Sequence, residues 1–220
     1  MILAVTGGKG GVGKTTVALN LAHAIDGVAV DADLGMADLP EGRGPDLHDV
    51  LAGRAAPLEA VDESGPVDLL PCGRTLAGAR AADPTALVDA VAAVERRYGD
   101  VVIDCPAGMS ADAGLPLLAA DACLLVAAPD AFALPDAIRT RALARVLDAA
   151  IERVVLNRAG ASPPTGRVRD ALGIPVETIP DAAVVDRARQ SGRPVAAVAP
   201  DSPVADRFRS LAAVVGPDGR

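Results

Sequence analysis

The run Gly8-Lys9-Gly10-Gly11-Val12-Gly13-Lys14-Thr15 constrains this chain more than any other segment. It follows a short apolar run, Ile2–Thr6, and opens a helical pattern that starts at Lys14. In that strand–loop–helix setting, the G-x-x-x-x-G-K-[ST] spacing fits a phosphate cradle. Gly10, Gly11 and Gly13 let the backbone curl tightly, so that several N–H groups point into one concavity. Side chains there would block an approaching phosphate. The first turn of the following helix adds its positive dipole end. Lys14 is expected to neutralise β- and γ-phosphates, and the Thr15 hydroxyl to ligate Mg²⁺. Gly8, Val12 and Thr16 complete the expected binding run.

The rest of the chain repeats the same alternation. Apolar, strand-like runs occur at Ile2–Thr6, Val28–Val30, Val67–Leu70, Val101–Ile103, Ala122–Ala127, Val154–Leu156 and Val176–Ile179. Their continuous apolarity is what strands covered on both faces require. Helices are predicted over Lys14–Asp26, Pro84–Tyr98, Leu134–Ala149, Asp181–Gln190 and Pro203–Val214. In the first of these, Val17, Leu21, Ala24 and Ile25 share one face and Gly27 stops the helix. Asp38–Pro45 and Ala159–Gly166 read as surface loops. The expected fold is α/β, with a mostly parallel central sheet of about seven or eight strands flanked by helices on both faces. Residues 1–220 are expected to form a single P-loop NTPase domain, a size that suits one substantial core.

Composition narrows the class further. No stretch of about 18 uninterrupted apolar residues exists, so no spanning segment is expected. The N-terminal residues lack a basic n-region and are taken as a first strand, which points to a cytoplasmic protein. The formal net charge is −8, from 29 acidic and 21 basic residues, and Lys9 and Lys14 are the only lysines. An Asp-rich, lysine-poor surface is expected to keep a protein soluble at high salt, a halophilic character. A GC-rich genome favours the same residues but does not by itself explain so acidic a balance. Cys72, Cys105 and Cys123 lack CxxC spacing and are expected to be buried thiols. His23 and His48 have no companion at metal-ligand spacing, so both are expected to be ordinary helix residues.

Two lysines confined to one loop, in a chain that otherwise uses arginine, imply that a compact ammonium is needed at both positions. Asp31-Ala32-Asp33 closes the second apolar run and Asp104 closes the fourth. A carboxylate at a strand end beside a phosphate loop is the usual arrangement for holding Mg²⁺, directly or through water.

Lys9-Gly10-Gly11-Val12-Gly13-Lys14-Thr15-Thr16 resembles the deviant Walker A motif of the MinD/ParA class of P-loop ATPases. Asp104-Cys105-Pro106-Ala107-Gly108 resembles the family's switch II, and its Pro-Ala-Gly ending is closer to MinD than to ParA proteins. The likeness implies ATP and Mg²⁺ as ligands. It also implies a homodimer formed on ATP binding, in which Lys9 reaches across to the partner's ATP and hydrolysis separates the two subunits. Asp33 matches the switch I aspartate placed near the attacking water, giving Lys9, Lys14 and Asp33 as the catalytic set. Thr15, Asp33 and Asp104 are the implied metal set, with Asp31 supporting the Mg²⁺ shell. Val154-Val155-Leu156-Asn157-Arg158 resembles the adenine-contacting strand end, where the Asn157 amide offers both a donor and an acceptor. Ile179-Pro180-Asp181 resembles the next loop over the base. Leu47–Gly53, Gly192–Val195 and Pro200–Phe208 extend the likeness over nearly the whole chain.

There are departures. The family often continues Asp-Leu-Gly-Met with Ala-Asn-Leu, whereas Ala37-Asp38-Leu39 puts a carboxylate at the amide's place. The bacterial family ends in a basic amphipathic helix that binds anionic lipid. Here Val204, Phe208 and Leu211 share a face and the tail stops at Gly216–Arg220 without a lysine, so a packed terminal helix and no direct membrane anchor are expected. The expected role is a MinD-like spatial or assembly switch with slow ATP hydrolysis, read by a protein partner. A ParA-like DNA segregation ATPase would need a basic surface, and Arg139, Arg141 and Arg145 form the only compact basic cluster, so DNA binding is not expected. A metabolic or metallocentre-insertion ATPase on the same fold is a third alternative. Insertion factors generally present paired cysteines, which are absent here.

Overall fold

Strands that are apolar along their whole length need cover on both sides, and the sheet receives it. The computed structural model describes residues 1–216 apart from 36, 109–110 and 130–132. The seven strands are β1 (Ile2–Thr6), β2 (Val28–Asp31), β3 (Leu69–Leu70), β4 (Val101–Asp104), β5 (Ala122–Ala127), β6 (Ile151–Ala159) and β7 (Val176–Pro180). They lie in the order β3-β2-β4-β1-β5-β6-β7, and every neighbouring pair is parallel.

The helices are α1 (Lys14–Ala24), α2 (Leu47–Leu51), α3 (Leu76–Ala81), α4 (Leu87–Tyr98), α5 (Ala111–Ala119), α6 (Ala133–Val146), α7 (Thr165–Leu172), α8 (Ala183–Gln190), α9 (Val195–Val198) and α10 (Pro203–Val215). Successive side chains of a strand point to opposite faces, and the core divides accordingly. Leu3, Val5, Leu124 and Val155 pack with Val17 and Leu21 of α1 and with Phe208 and Leu211 of α10. Ile2, Ala4, Val30 and Ile103 pack on the other side with Val91 and Val94 of α4 and Leu117 of α5. Leu125, Val154 and Leu156 continue that second face beneath Val168 and Leu172 of α7. The small Ala and Val side chains predominant in both layers let helices approach the sheet closely.

The apolar side of α10 is thus turned onto the sheet and α1, as expected of a packed terminal helix. The tail residues 217–220, and Met36 of the loop after β2, lie outside the described residues. No helix among the described residues is long and apolar enough to cross a membrane.

Several boundaries differ from expectation. The strand β6 extends from Ile151 to Ala159, well beyond Val154–Leu156, because pairing with β5 and β7 holds its polar ends in the ladder. At the sheet edge, β3 shrinks to Leu69–Leu70, where Leu69 also makes an antiparallel bridge to Asp62. The helices α5 and α7 have no counterpart in the sequence reading. Pro116 inside the first and the Pro163-Pro164 pair before the second obscured patterns that tertiary packing nevertheless supports. The loop expected over Ala159–Gly166 is correspondingly shorter. The helix α6 ends at Val146 instead of Ala149, just before Asp148 takes a positive φ of 53°.

From β1 the chain crosses to β2 on one side, and from β4 it crosses to β5 on the other side of β1. Such a reversal leaves a crevice beyond the carboxyl ends of the central strands. Register places Asp104 beside both Val5 and Asp31. The phosphate-loop candidate and the strand-end carboxylates therefore meet at one place.

Candidate functional site

The loop after β1 keeps its curled path through close backbone approaches. A Cβ on Gly8 would lie 2.5 Å from the Asp136 carbonyl oxygen and 2.7 Å from Thr140 Oγ1, both on α6. Gly13, at φ 97°, is the residue before α1 and supplies no side-chain cap. Its conformation is one that L side chains rarely adopt, and an added Cβ would collide with the Asn157 amide. That amide donates a 2.9 Å hydrogen bond to the Val12 carbonyl. Asn157, 3% exposed, is therefore a strut from the tip of β6 to the loop. Without a capping side chain, the first N–H groups of α1 lack the usual side-chain partner, the setting in which a helix start accepts an anion.

The two lysines on this loop differ sharply in environment. Lys14 is 7% exposed, whereas Lys9 is exposed beside the equally exposed Gly10 and Gly11. Lys14 is close enough to Asp104 to favour its ionised form, and the Thr15 hydroxyl hydrogen-bonds the same carboxyl. Burial nevertheless pushes Asp104 up to about 8, with repulsion from Asp31 adding to it.

Asp104 Oδ1 is buried with no hydrogen-bond partner among the described residues. An orphaned carboxylate oxygen next to a hydroxyl fits a hydrated divalent cation. Thr15 and Asp104 would hold Mg²⁺ there. Among the described residues no group of three or more His, Cys, Asp or Glu side chains could cage a metal. A cation that relies on water and phosphate oxygens does not need such a cage.

Asp31 does different work. Its Oδ1 accepts the Asp33 N–H at 3.1 Å, and its Oδ2 accepts those of Asp38 and Leu39 at 2.9 and 3.0 Å. Burial raises this carboxyl to about 6, although all three backbone bonds pull the other way. Asp31, expected to support the metal shell, also has a structural role, because its oxygens organise the loop after β2. Asp33 is half-buried on that loop, and Asp38 is exposed on it.

A cavity of about 600 Å³ opens beside the loop, lined by Gly11, Gly13, Lys14, Thr15, Thr16 and Arg158 of the expected set. Asp38 and Arg74 stand on one rim. The other wall comes from α8 and the turn after it: Val185, Ala188, Arg189, Gln190, Gly192 and Arg193. Pro180 and Asp181 stand at the end of β7 next to β6, where the Asp181 N–H donates to the Ala159 carbonyl at 3.1 Å. Neither lines this cavity.

The α8 wall was missed as part of the site because its residues read only as a polar helix. Asn20 was missed as well. It is buried on α1, donating to the Thr16 carbonyl at 2.8 Å and accepting the Val195 N–H at 2.6 Å, and so ties α1 to the start of α9. A buried amide on an otherwise apolar helix face is the signal that would have found it.

Residues 3–195 match CbiA, the CobQ/CobB/MinD/ParA nucleotide binding domain. The chain belongs to this family. An uncharacterized ATP-binding protein of Methanocaldococcus jannaschii is 34% identical to it, over 96% of this chain and 86% of that protein. The septum site-determining protein MinD from Pyrococcus horikoshii, solved with Mg-ADP, superposes with a TM-score of 0.90 at 31% identity, covering 98% of this chain and 96% of its own. The Pyrococcus furiosus cell division ATPase MinD gives 0.89 at 32% identity, covering 96% of each chain. The fold inferred from the apolar runs is that of the family, and the likeness to MinD read from the motifs extends over 96–98% of the chain.

Proposed function

We propose that this family member is a MinD-like ATPase whose two subunits close around ATP and part after hydrolysis. The observation that carries the reading is the contrast between the two lysines. Lys14 is nearly buried within the phosphate loop, while Lys9, five residues earlier, is exposed on the same loop. An exposed ammonium on a phosphate loop, outside the lining of its own cavity, is available to a second molecule's triphosphate.

In this reading the loop N–H groups and Lys14 bind the β- and γ-phosphates, and the base lies toward Arg158 and the α8 wall. Bound Mg²⁺ would neutralise phosphate charge as it develops. Asp33 orients the attacking water. Lys9 from the partner stabilises charge on the departing phosphate, much as an arginine finger does. The outcome is a conformational and oligomeric signal, a spatial-positioning or assembly switch read by a protein partner. Turnover is slow in isolation because the charge stabilisation from Lys9 arrives only with the second subunit.

DNA partitioning is less well supported. The chain carries a net charge of −8, and Arg139, of the Arg139, Arg141 and Arg145 cluster, is paired with Asp136 at 3.0 Å.

Phosphate release from Mg-ATP tests the proposal. Lys9→Ala should bind ATP with nearly the affinity of the parent protein and yet lose turnover. Unchanged turnover in that variant would refute the cross-subunit role.

A further inference from the structure

We infer that His48 and Cys72 are positioning residues for hydrolysis, a brace that fixes the backbone carrying Asp33 together with Asp31. The inference rests on the role proposed above for Asp33.

Cys72 donates from Sγ to the Asp33 carbonyl at 3.2 Å, and His48 Nε2 lies 3.1 Å from the Leu34 carbonyl. A carbonyl oxygen only accepts, so Nε2 is the donor. The two side chains also touch, with Sγ 3.4 Å from Nε2. With Asp31 accepting the Asp33 N–H and the Leu34 N–H donating to the Ala32 carbonyl, four successive backbone groups are pinned: the N–H and carbonyl of residue 33 and those of residue 34. Little freedom remains for the peptide that aims the Asp33 side chain.

The brace is itself anchored. Leu47 and His48 donate their N–H groups to the carbonyls of Pro71 and Cys72 at 2.8 and 3.1 Å. Asp46 and Asp49 form a reciprocal capping box that fixes the start of α2. On its far side the imidazole meets α3, where a Cβ at Gly78 would stand 3.0 Å from Nδ1.

His48 is 3% exposed, and its Nδ1 is buried with no hydrogen-bond partner among the described residues. An unsatisfied buried nitrogen costs stability, a cost that a leucine of similar size would avoid. What the histidine supplies is therefore the single bond at Nε2, and that bond goes to the loop bearing Asp33. A group that orients water must be held to within a fraction of an ångström, and small misplacements lower rates steeply.

Two measurements on the full chain test this: amide hydrogen exchange over residues 33–39, and steady-state turnover with Mg-ATP. In His48→Leu, exchange should accelerate and kcat should fall roughly ten- to a hundredfold, with ATP affinity within about twofold of the parent. His48→Gln, whose amide can still donate to the Leu34 carbonyl, should recover most of the protection and rate. If His48→Leu does not fold, Cys72→Ala against Cys72→Ser makes the same comparison at the Asp33 carbonyl. The brace is overturned if exchange is unchanged in the apolar variants. It is overturned as a positioning device if exchange loosens without loss of kcat, or if His48→Gln is as impaired as His48→Leu. Should the parent protein show no turnover, the proposed function fails, while the exchange comparison still decides whether the brace exists.

Discussion

Asn157 Nδ2 donates to the carbonyl of Val12 at 2.9 Å, across 145 residues of sequence. One buried amide thereby joins the end of β6 to the phosphate loop. The sequence reading assigned this side chain to the edge of an adenine. One of its N–H groups also holds the loop, so the first consequence of removing the side chain should be a looser loop. Asn157→Ala is expected to destabilise the protein by about 1–3 kcal/mol, the usual cost of stranding a buried partner. It should also weaken ATP binding. Urea unfolding and a nucleotide titration measure the two effects, and a stability matching the parent would show that the strut is dispensable.

The two lysines should separate cleanly. Replacing Lys14, buried among the phosphate-binding groups, with Ala should abolish ATP binding. Equilibrium titration with a fluorescent ATP analogue gives the answer, and retained binding would remove Lys14 from the phosphate site.

The buried carboxyls set the pH dependence. Asp31 and Asp104 are raised from 3.8 to about 6 and about 8, chiefly by burial. Between about pH 4 and pH 8 the folded protein therefore holds protons that the unfolded chain has released, so rising pH removes stability across this window. Nucleotide-free protein should show a falling Tm from about pH 6 to pH 8, and Asp104→Asn should flatten that fall. Mg-ATP should reduce it too, because a bound cation favours the ionised carboxylate. A Tm that climbs over this range without nucleotide would contradict the assignment of Asp104.

The acidic surface makes a separate prediction. With a net charge of −8, self-repulsion is strongest in dilute buffer and is screened as salt rises. Tm should increase from low to multimolar KCl. Full stability in dilute buffer would leave codon composition as the explanation of the Asp-rich sequence.

Much of the fold was legible because burial on both faces forces strands to be apolar throughout. The limits of β1 and β5 follow directly from Ile2–Thr6 and Ala122–Ala127. The phosphate loop was equally plain, since glycine is demanded where the backbone must turn back beneath an anion. Less visible were features created by long-range contact. Nothing local in Asn157 announces a bond to Val12, and neither His48 nor Cys72 has a neighbour in sequence that reveals the loop it grips. The Asp31 carboxylate could be seen as a strand-end acid, but its three backbone N–H partners depend on how Asp33, Asp38 and Leu39 are brought to it. The α8 wall stayed hidden because its polar surface has no periodic signature distinct from a solvated helix.

In the proposed switch ATP draws two chains together through Lys9, and the molar mass of the nucleotide-bound protein reports that step. Asp33→Ala should bind ATP without consuming it, so light scattering at high salt should register twice the 22.0 kDa of one chain with Mg-ATP. Adding Lys9→Ala to that variant should return the mass to a single chain while ATP stays bound. A single-chain mass for Asp33→Ala saturated with Mg-ATP, or a dimer that persists without Lys9, would contradict the account.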